Sequence, residues 1–146
     1  MIATEKEAEQ IMFDDALQAF PHECCGFMFG KEDEKGNRLV TKALPVFNSA
    51  KENRERRFII SPKDYMNAEK FADENNVQFL GIYHSHPNHP AIPSEHDRVA
   101  AQPWFSYVII SVSEDKIQHT RCWRLNDNFQ FDEEEYNNQL ANSIKL

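Results

Sequence analysis

The chain has 146 residues, 40% apolar and 27% charged, with 11 Phe, 4 Tyr and 2 Trp. That is enough apolar material for one buried core, which excludes a disordered or repetitive chain and predicts a single domain over residues 1–146. The formal net charge of −8 argues against nucleic acid or an anionic membrane as partner, because both reward a basic face. Arg54, Arg56 and Arg57 form the one local basic cluster. No run is apolar enough to cross a bilayer and no signal-peptide pattern opens the chain. Cys24, Cys25 and Cys122 are an odd number at no zinc-ribbon spacing, so the expectation is a reduced, cytoplasmic protein.

In chain order, Thr4 and Glu7 form a candidate capping box, and Ala8, Ile11, Met12, Ala16 and Ala19 recur on one side of a helix. The helix should end by Phe20, before Pro21. Cys24–Gly30 is a short apolar run with the character of a buried strand, Lys31–Asn37 a charged turn with Gly36, and Leu39–Phe47 the returning strand. Asn48–Arg57 reads as a polar surface loop and Phe58–Ile60 as a further short strand. Ser61-Pro62-Lys63-Asp64 supplies a cap residue, a proline at N1 and a carboxylate at N3, so a helix starts there, with Tyr65, Ala68 and Ala72 inward and Asn75-Asn76 closing it. A strand over Val77–Tyr83 follows, then a proline-rich loop and a short helix that Pro103 ends. Trp104–Val112 and Ile117–Leu125 are strands joined by a hairpin-like connection at Ser113–Lys116, and Phe129–Phe131 alternates as one more. From Asp132 on the pattern is open between helix and tail. The sum predicts one sheet with helices packed on it, strand order unassigned.

The chemistry concentrates in residues 81–97, GIYHSHPNHPAIPSEHD. His84 and His86 are two apart, so leaving a strand they share a face. Pro87, Pro90 and Pro93 stiffen the loop behind them. Asp97 lies in the first turn of the next element, where it can fold back to the pair or cap the helix with Ser94. Two histidines and a carboxylate with an open position suit catalytic zinc and equally the facial triad of non-haem iron. Glu95 and His96 point to the rim or to solvent, and His89 is a possible substrate contact or a plain surface histidine. Hydrolysis also needs a proton acceptor that does not ligate the metal. Glu23 stands out, set between Pro21 and a buried-looking strand where an unpartnered charge is costly; an exposed loop glutamate is the other reading. Cys24 and Cys25 read as small core residues, since neighbours on a strand face opposite ways.

Together these residues resemble the JAMM motif of the MPN (MPN+) metallopeptidase family, in its short, stand-alone prokaryotic form. The match is His84-Ser85-His86-Pro87 and Ser94-Glu95-His96-Asp97, with seven residues between His86 and Ser94, Pro21-x-Glu23-x-Cys25-Gly26 upstream, and Asn48 and Arg57-Phe58 as fainter echoes. It spans roughly residues 5 to 125. The resemblance implies an α/β (α+β) domain, a central mixed sheet flanked by helices of the MPN and cytidine-deaminase-like kind. It implies a Zn2+ hydrolase of peptide or isopeptide bonds beside the C-terminal Gly-Gly tail of a small ubiquitin-like or sulfur-carrier protein. Carried over, His84, His86 and Asp97 are the metal ligands, Glu23 the general base and acid, and Ser94 the oxyanion donor. Such a tail is expected to lie extended beside a strand edge. A non-catalytic metal-binding module and a non-haem iron oxygenase are the alternatives.

Overall fold

The computed structural model describes residues 1–136. Its elements are β1 (Ile2–Thr4), α1 (Lys6–Ala19), β2 (Cys25–Glu32), β3 (Arg38–Val46), α2 (Pro62–Asn75), β4 (Gln78–Pro87), α3 (Glu95–Ala100), β5 (Ser106–Ser113), β6 (Lys116–Leu125) and β7 (Phe131–Glu134). The strands form one sheet in the order β1-β3-β2-β4-β5-β6-β7. β1 is parallel to β3 and β4 to β5, and the other pairs are antiparallel. This is the mixed sheet with helices that the sequence leads one to expect.

Strand alternation divides the core between the two faces. Cys25, Phe27 and Phe29 of β2 join Ile82 of β4 and Ala68 and Ala72 of α2. Met28 and Tyr83 turn the other way, onto Ala8, Met12 and Ala16 of α1. Each long helix thus covers one face. The α2 side is filled by rings, with Phe27–Phe79 centroids 5.1 Å apart and Phe29–Phe71 4.8 Å apart. α2 starts as its sequence dictates: Ser61 Oγ accepts the Asp64 N–H at 3.1 Å, with Pro62 at the first helical position. Asn76 closes it in the left-handed region at φ 52°. The β2–β3 turn uses Gly36 at φ 84°, and Asp33 Oδ1 accepts the N–H groups of Lys35 and Asn37.

Several local expectations give way to long-range pairing. Thr4 caps nothing: it belongs to β1, opposite Val40, and α1 begins after Glu5 without a side-chain cap bond. Ile11 is more than a third exposed rather than part of the inward stripe. Phe58–Ile60 is extended but joins no ladder, because Asn48 Oδ1 accepts the Ile59 N–H and Ser49 N–H donates to Ile59 O. The last strand starts at Phe131, since Phe129 sits at φ 58° in a turn built on Asn126. Asp132–Glu134 complete β7, and the helix-or-tail question for residues 137–146 lies outside the described residues. No helix among those described is long and apolar enough to cross a membrane.

Candidate metal centre

His84 and His86 lie in the last turns of the pleat of β4, on the face shared with Ile82. Cys25 of β2 pairs with His84, and Ser85 N–H continues the ladder to Cys24 O at 3.2 Å. Glu23 lies two residues before Cys25, just outside β2, and its side chain reaches His84. Its backbone is held on both sides: Glu23 N–H donates to Arg54 O at 2.7 Å, and Asn48 Nδ2 donates to Glu23 O at 3.1 Å. Ser85 Oγ also accepts the Cys24 N–H at 2.8 Å.

Asp97 arrives on α3. Ser94 Oγ accepts the Asp97 N–H at 3.0 Å, and Asp97 Oδ2 accepts the Ser94 N–H at 2.9 Å, a complete capping box. The same Oδ2 lies 3.0 Å from His86 Nε2, and Oδ1 lies 3.9 Å from His84 Nε2. Capping and facing the histidines are therefore one arrangement, not two competing ones. All four groups are nearly closed to solvent: Glu23 is 2% exposed, His84 1%, His86 1% and Asp97 6%.

The donor set suits a divalent cation. Glu23 Oε1 stands 3.5 Å from His84 Nδ1, and neither atom has a hydrogen-bond partner among the described residues. Such orphaned buried groups cost several kcal/mol unless something else engages them, roughly 2–7 kcal/mol each in transfer terms. His86 Nδ1 is 2.8 Å from Pro90 O; a carbonyl only accepts, so that nitrogen carries a ring proton and Nε2 is turned to Asp97 Oδ2. Ligand atoms of Glu23, His84 and His86 lie within 4.8 Å of one another. Zinc bonds of about 2.0–2.1 Å give a tetrahedral edge of about 3.3 Å, which the two Asp97 separations bracket. Electrostatics agree: burial opposes a charged His84, but the Asp97 and Glu23 carboxylates outweigh it and raise its pKa. Burial likewise opposes an ionised Asp97, yet His84, His86 and the Ser94 N–H hold its carboxyl well below the usual range.

Rings close the site from outside. Phe58 stacks on His84 at 4.4 Å and His89 on His86 at 4.1 Å. His89 is thus neither a plain surface residue nor free to contact substrate with both faces. A cavity of about 260 Å³ opens beside His84 and Asp97, walled by Phe58, Ile60, Tyr65, Ala100 and Tyr107. His96 stands at its edge, and Glu95 is exposed and paired with Arg98. Cys24 and Cys25 are buried, and burial pushes both thiols up, so neither offers a thiolate. From the sequence, Asn48 and Phe58 are only faint echoes of the family pattern with no role attached. Asn48 ties Glu23 to the 57–59 segment through its bonds to Glu23 O, Arg57 O and Ile59 N. An asparagine in a polar loop carries no such signal by itself.

Residues 5–126 match the family of prokaryotic homologs of the JAB domain. A protein of Haloferax volcanii named desampylase is 35% identical over 103 residues, 70% of this chain and 70% of its own length. One of the same name from Pyrococcus furiosus is 34% identical over 82 residues, covering 56% of this chain and 54% of its own. The match thus spans about half the length of that second relative. A solution structure of a Desulfitobacterium hafniense protein superposes with a TM-score of 0.81 at 33% identity, over 93% of this chain and 91% of that one. A Salinibacter ruber protein gives 0.70 at 34%, over 93% and 90%. A JAB1/MPN domain protein from Archaeoglobus fulgidus, 18% identical, shares the fold at 0.55 over 94% and 97%. On the family match over nearly the whole chain, with relatives a third identical, the chain belongs to the prokaryotic branch of the JAB (JAMM/MPN) domain family.

Proposed function

We propose that the protein is a zinc-dependent metallopeptidase that cuts the bond next to the C-terminal Gly-Gly tail of a small ubiquitin-like or sulfur-carrier protein. His84, His86 and Asp97 would hold the zinc, Glu23 would move the proton and Ser94 would hold the developing oxyanion. The observation that carries this reading is Glu23 Oε1, buried without a partner beside two histidines and a carboxylate. A closed structural site would take Glu23 as its fourth ligand, whereas a catalytic site leaves Glu23 off the metal and the fourth position to water.

Bound zinc supplies Lewis-acid polarisation of the scissile carbonyl and of the attacking water. The rest falls to the chain. Glu23 has a lone pair free to take the water proton and, held through its backbone by Arg54 and Asn48, returns it to the leaving amine. Ser94 Oγ accepts the Asp97 N–H, and its own O–H would donate to the developing oxyanion, a contact of about 3–4 kcal/mol in comparable sites. The apolar walls of the cavity exclude bulk water and strengthen these interactions. The edges of the sheet are β1 and β7, and the site lies on inner strands. The tail would therefore run along the extended 58–60 segment rather than beside a sheet edge. Two relatives named desampylases favour a substrate of the protein-modifier kind. Three free, buried cysteines fit a reducing cytoplasm.

The test is a carrier protein ending in Gly-Gly plus one residue, with release followed by mass. The wild type, purified in air and assayed for metal, should contain zinc and release that residue. His84→Ala and Asp97→Ala should lose both zinc and activity. Iron in place of zinc, or no cleavage by zinc-loaded enzyme, would refute the reading.

A further inference from the structure

The loop between His86 and Ser94 is tied down by its neighbours in the sheet. Asn88 N–H donates to Val112 O at 2.8 Å, Ser111 Oγ donates to His89 O at 2.7 Å, and Trp123 Nε1 donates to Ala91 O at 3.0 Å. A fourth tie differs in kind. His119 Nε2 lies 3.0 Å from Ala91 N; a backbone N–H only donates, so that ring nitrogen is bare. The Ala91 N–H belongs to the same peptide group as Pro90 O, which accepts the His86 Nδ1–H at 2.8 Å. One amide therefore joins two imidazoles, receiving a proton from His86 on its oxygen side and offering one to His119 on its nitrogen side. Ile92 N–H reaches the same oxygen at 2.8 Å.

We infer that His119 is a positioning residue for the metal centre: by accepting the Ala91 N–H it orients and polarises the amide whose oxygen sets the tautomer and ring plane of His86. A ligand histidine presents its bare nitrogen only while the other nitrogen is held as a donor, and hydrogen bonds in series strengthen one another. His119 and Trp123, four apart on β6, share a face, so one strand grips both sides of Ala91, itself fully buried. The His119 ring is solvent-exposed, which lets it be replaced without opening the core.

The inference rests on His86 being a ligand, and the experiment separates the two. Zinc affinity is measured by competition with a chromogenic chelator, and the visible bands of the cobalt-substituted protein are recorded, for wild type, His119→Leu, His119→Asn, His119→Gln and Trp123→Phe. Thermal midpoints of the metal-free forms are taken alongside. His119→Leu and His119→Asn, the latter too short to reach Ala91, should weaken zinc binding about 10-fold and shift the cobalt bands. Gln places an amide oxygen at similar reach and should stay within about 3-fold of wild type. Trp123→Phe removes a tie without touching the Pro90–Ala91 amide, and should lower the midpoint while leaving the cobalt bands in place. Wild-type affinity and bands in folded His119→Leu or His119→Asn would overturn the inference, as would a Gln variant no better than Leu. A wild type that binds no zinc would overturn the ligand set beneath it. Zinc binding without peptidase activity would refute only the proposed reaction.

Discussion

Glu23 is a buried carboxylate whose Oε1 has no hydrogen-bond donor among the described residues and stands 3.5 Å from His84 Nδ1. If it moves the proton, Glu23→Gln keeps the shape, removes the base, and lowers kcat by ~10²–10⁴, the span typical of a lost general acid–base group. Zinc content and KM should change little, because the side chain then acts in the transition state. Glu95 is the control: it is exposed and paired with Arg98, so Glu95→Gln should turn over at nearly the wild-type rate. Single-turnover assays on zinc-loaded proteins decide between them, and full activity in Glu23→Gln would remove it from the mechanism.

At the scale of elements, α3 has six residues, too short to be stable without its cap and its packing. Ser94 is both the cap acceptor and the proposed oxyanion donor, so Ser94→Ala should cost about 1 kcal/mol of stability and ~10²–10³ in kcat. Ser94→Thr retains an acceptor and a donor, and should recover most of both; a Thr variant that is stable yet inactive would mean that Ser94 matters by shape alone. The β2–β4 ladder has its own test at Gly26. A Cβ there would meet Tyr83 Cε2 at 2.2 Å, and that ring is held by its hydroxyl, which donates to Asp15 Oδ2 at 2.7 Å. Gly26→Ala should therefore lower stability by about 1–3 kcal/mol. Activity should fall with it, since the same ladder pairs Cys25 with His84 and so brings Glu23 to that ring. Denaturant melts with parallel assays would show it, and an unchanged midpoint would mean that Tyr83 moves aside at little cost.

Considered whole, the centre is framed by contacts among the protein's own groups. The β2–β4 register, the capping box and the His86–Pro90 bond are all in place among the protein's own groups. Chelation should therefore leave the far-ultraviolet circular dichroism spectrum unchanged while lowering the thermal midpoint. Zinc at 100 times its Kd stabilises by about 2.7 kcal/mol, or about 5–10 °C for a chain of this size. Re-addition of zinc should restore the midpoint in wild type and not in Asp97→Ala. Loss of helix and strand signal on chelation would show instead that the metal holds the fold together.

What the sequence determined by itself was everything carried by spacing over a few residues. Ser61-Pro62 started α2, Gly36 turned the β2–β3 hairpin, and the two-residue step of His84 and His86 put both rings on one face. Each of these is settled by dihedral preference or by the period of a strand, within one or two turns of chain. Ser94 and Asp97 were legible too, but as two readings that only the folded molecule showed to be compatible. What tertiary structure decided was register. Thr4 looked like a cap and became a strand because its backbone groups pair with β3, some 36 residues away. Phe58–Ile60 had strand composition and found no ladder, because Asn48 Oδ1 accepts the Ile59 N–H and Ser49 N–H donates to Ile59 O. The approach of Glu23 to His84, and of His119 to the amide behind His86, depends on which strands lie side by side. That order follows from how two helices and an aromatic core cover the sheet, and no local pattern encodes it.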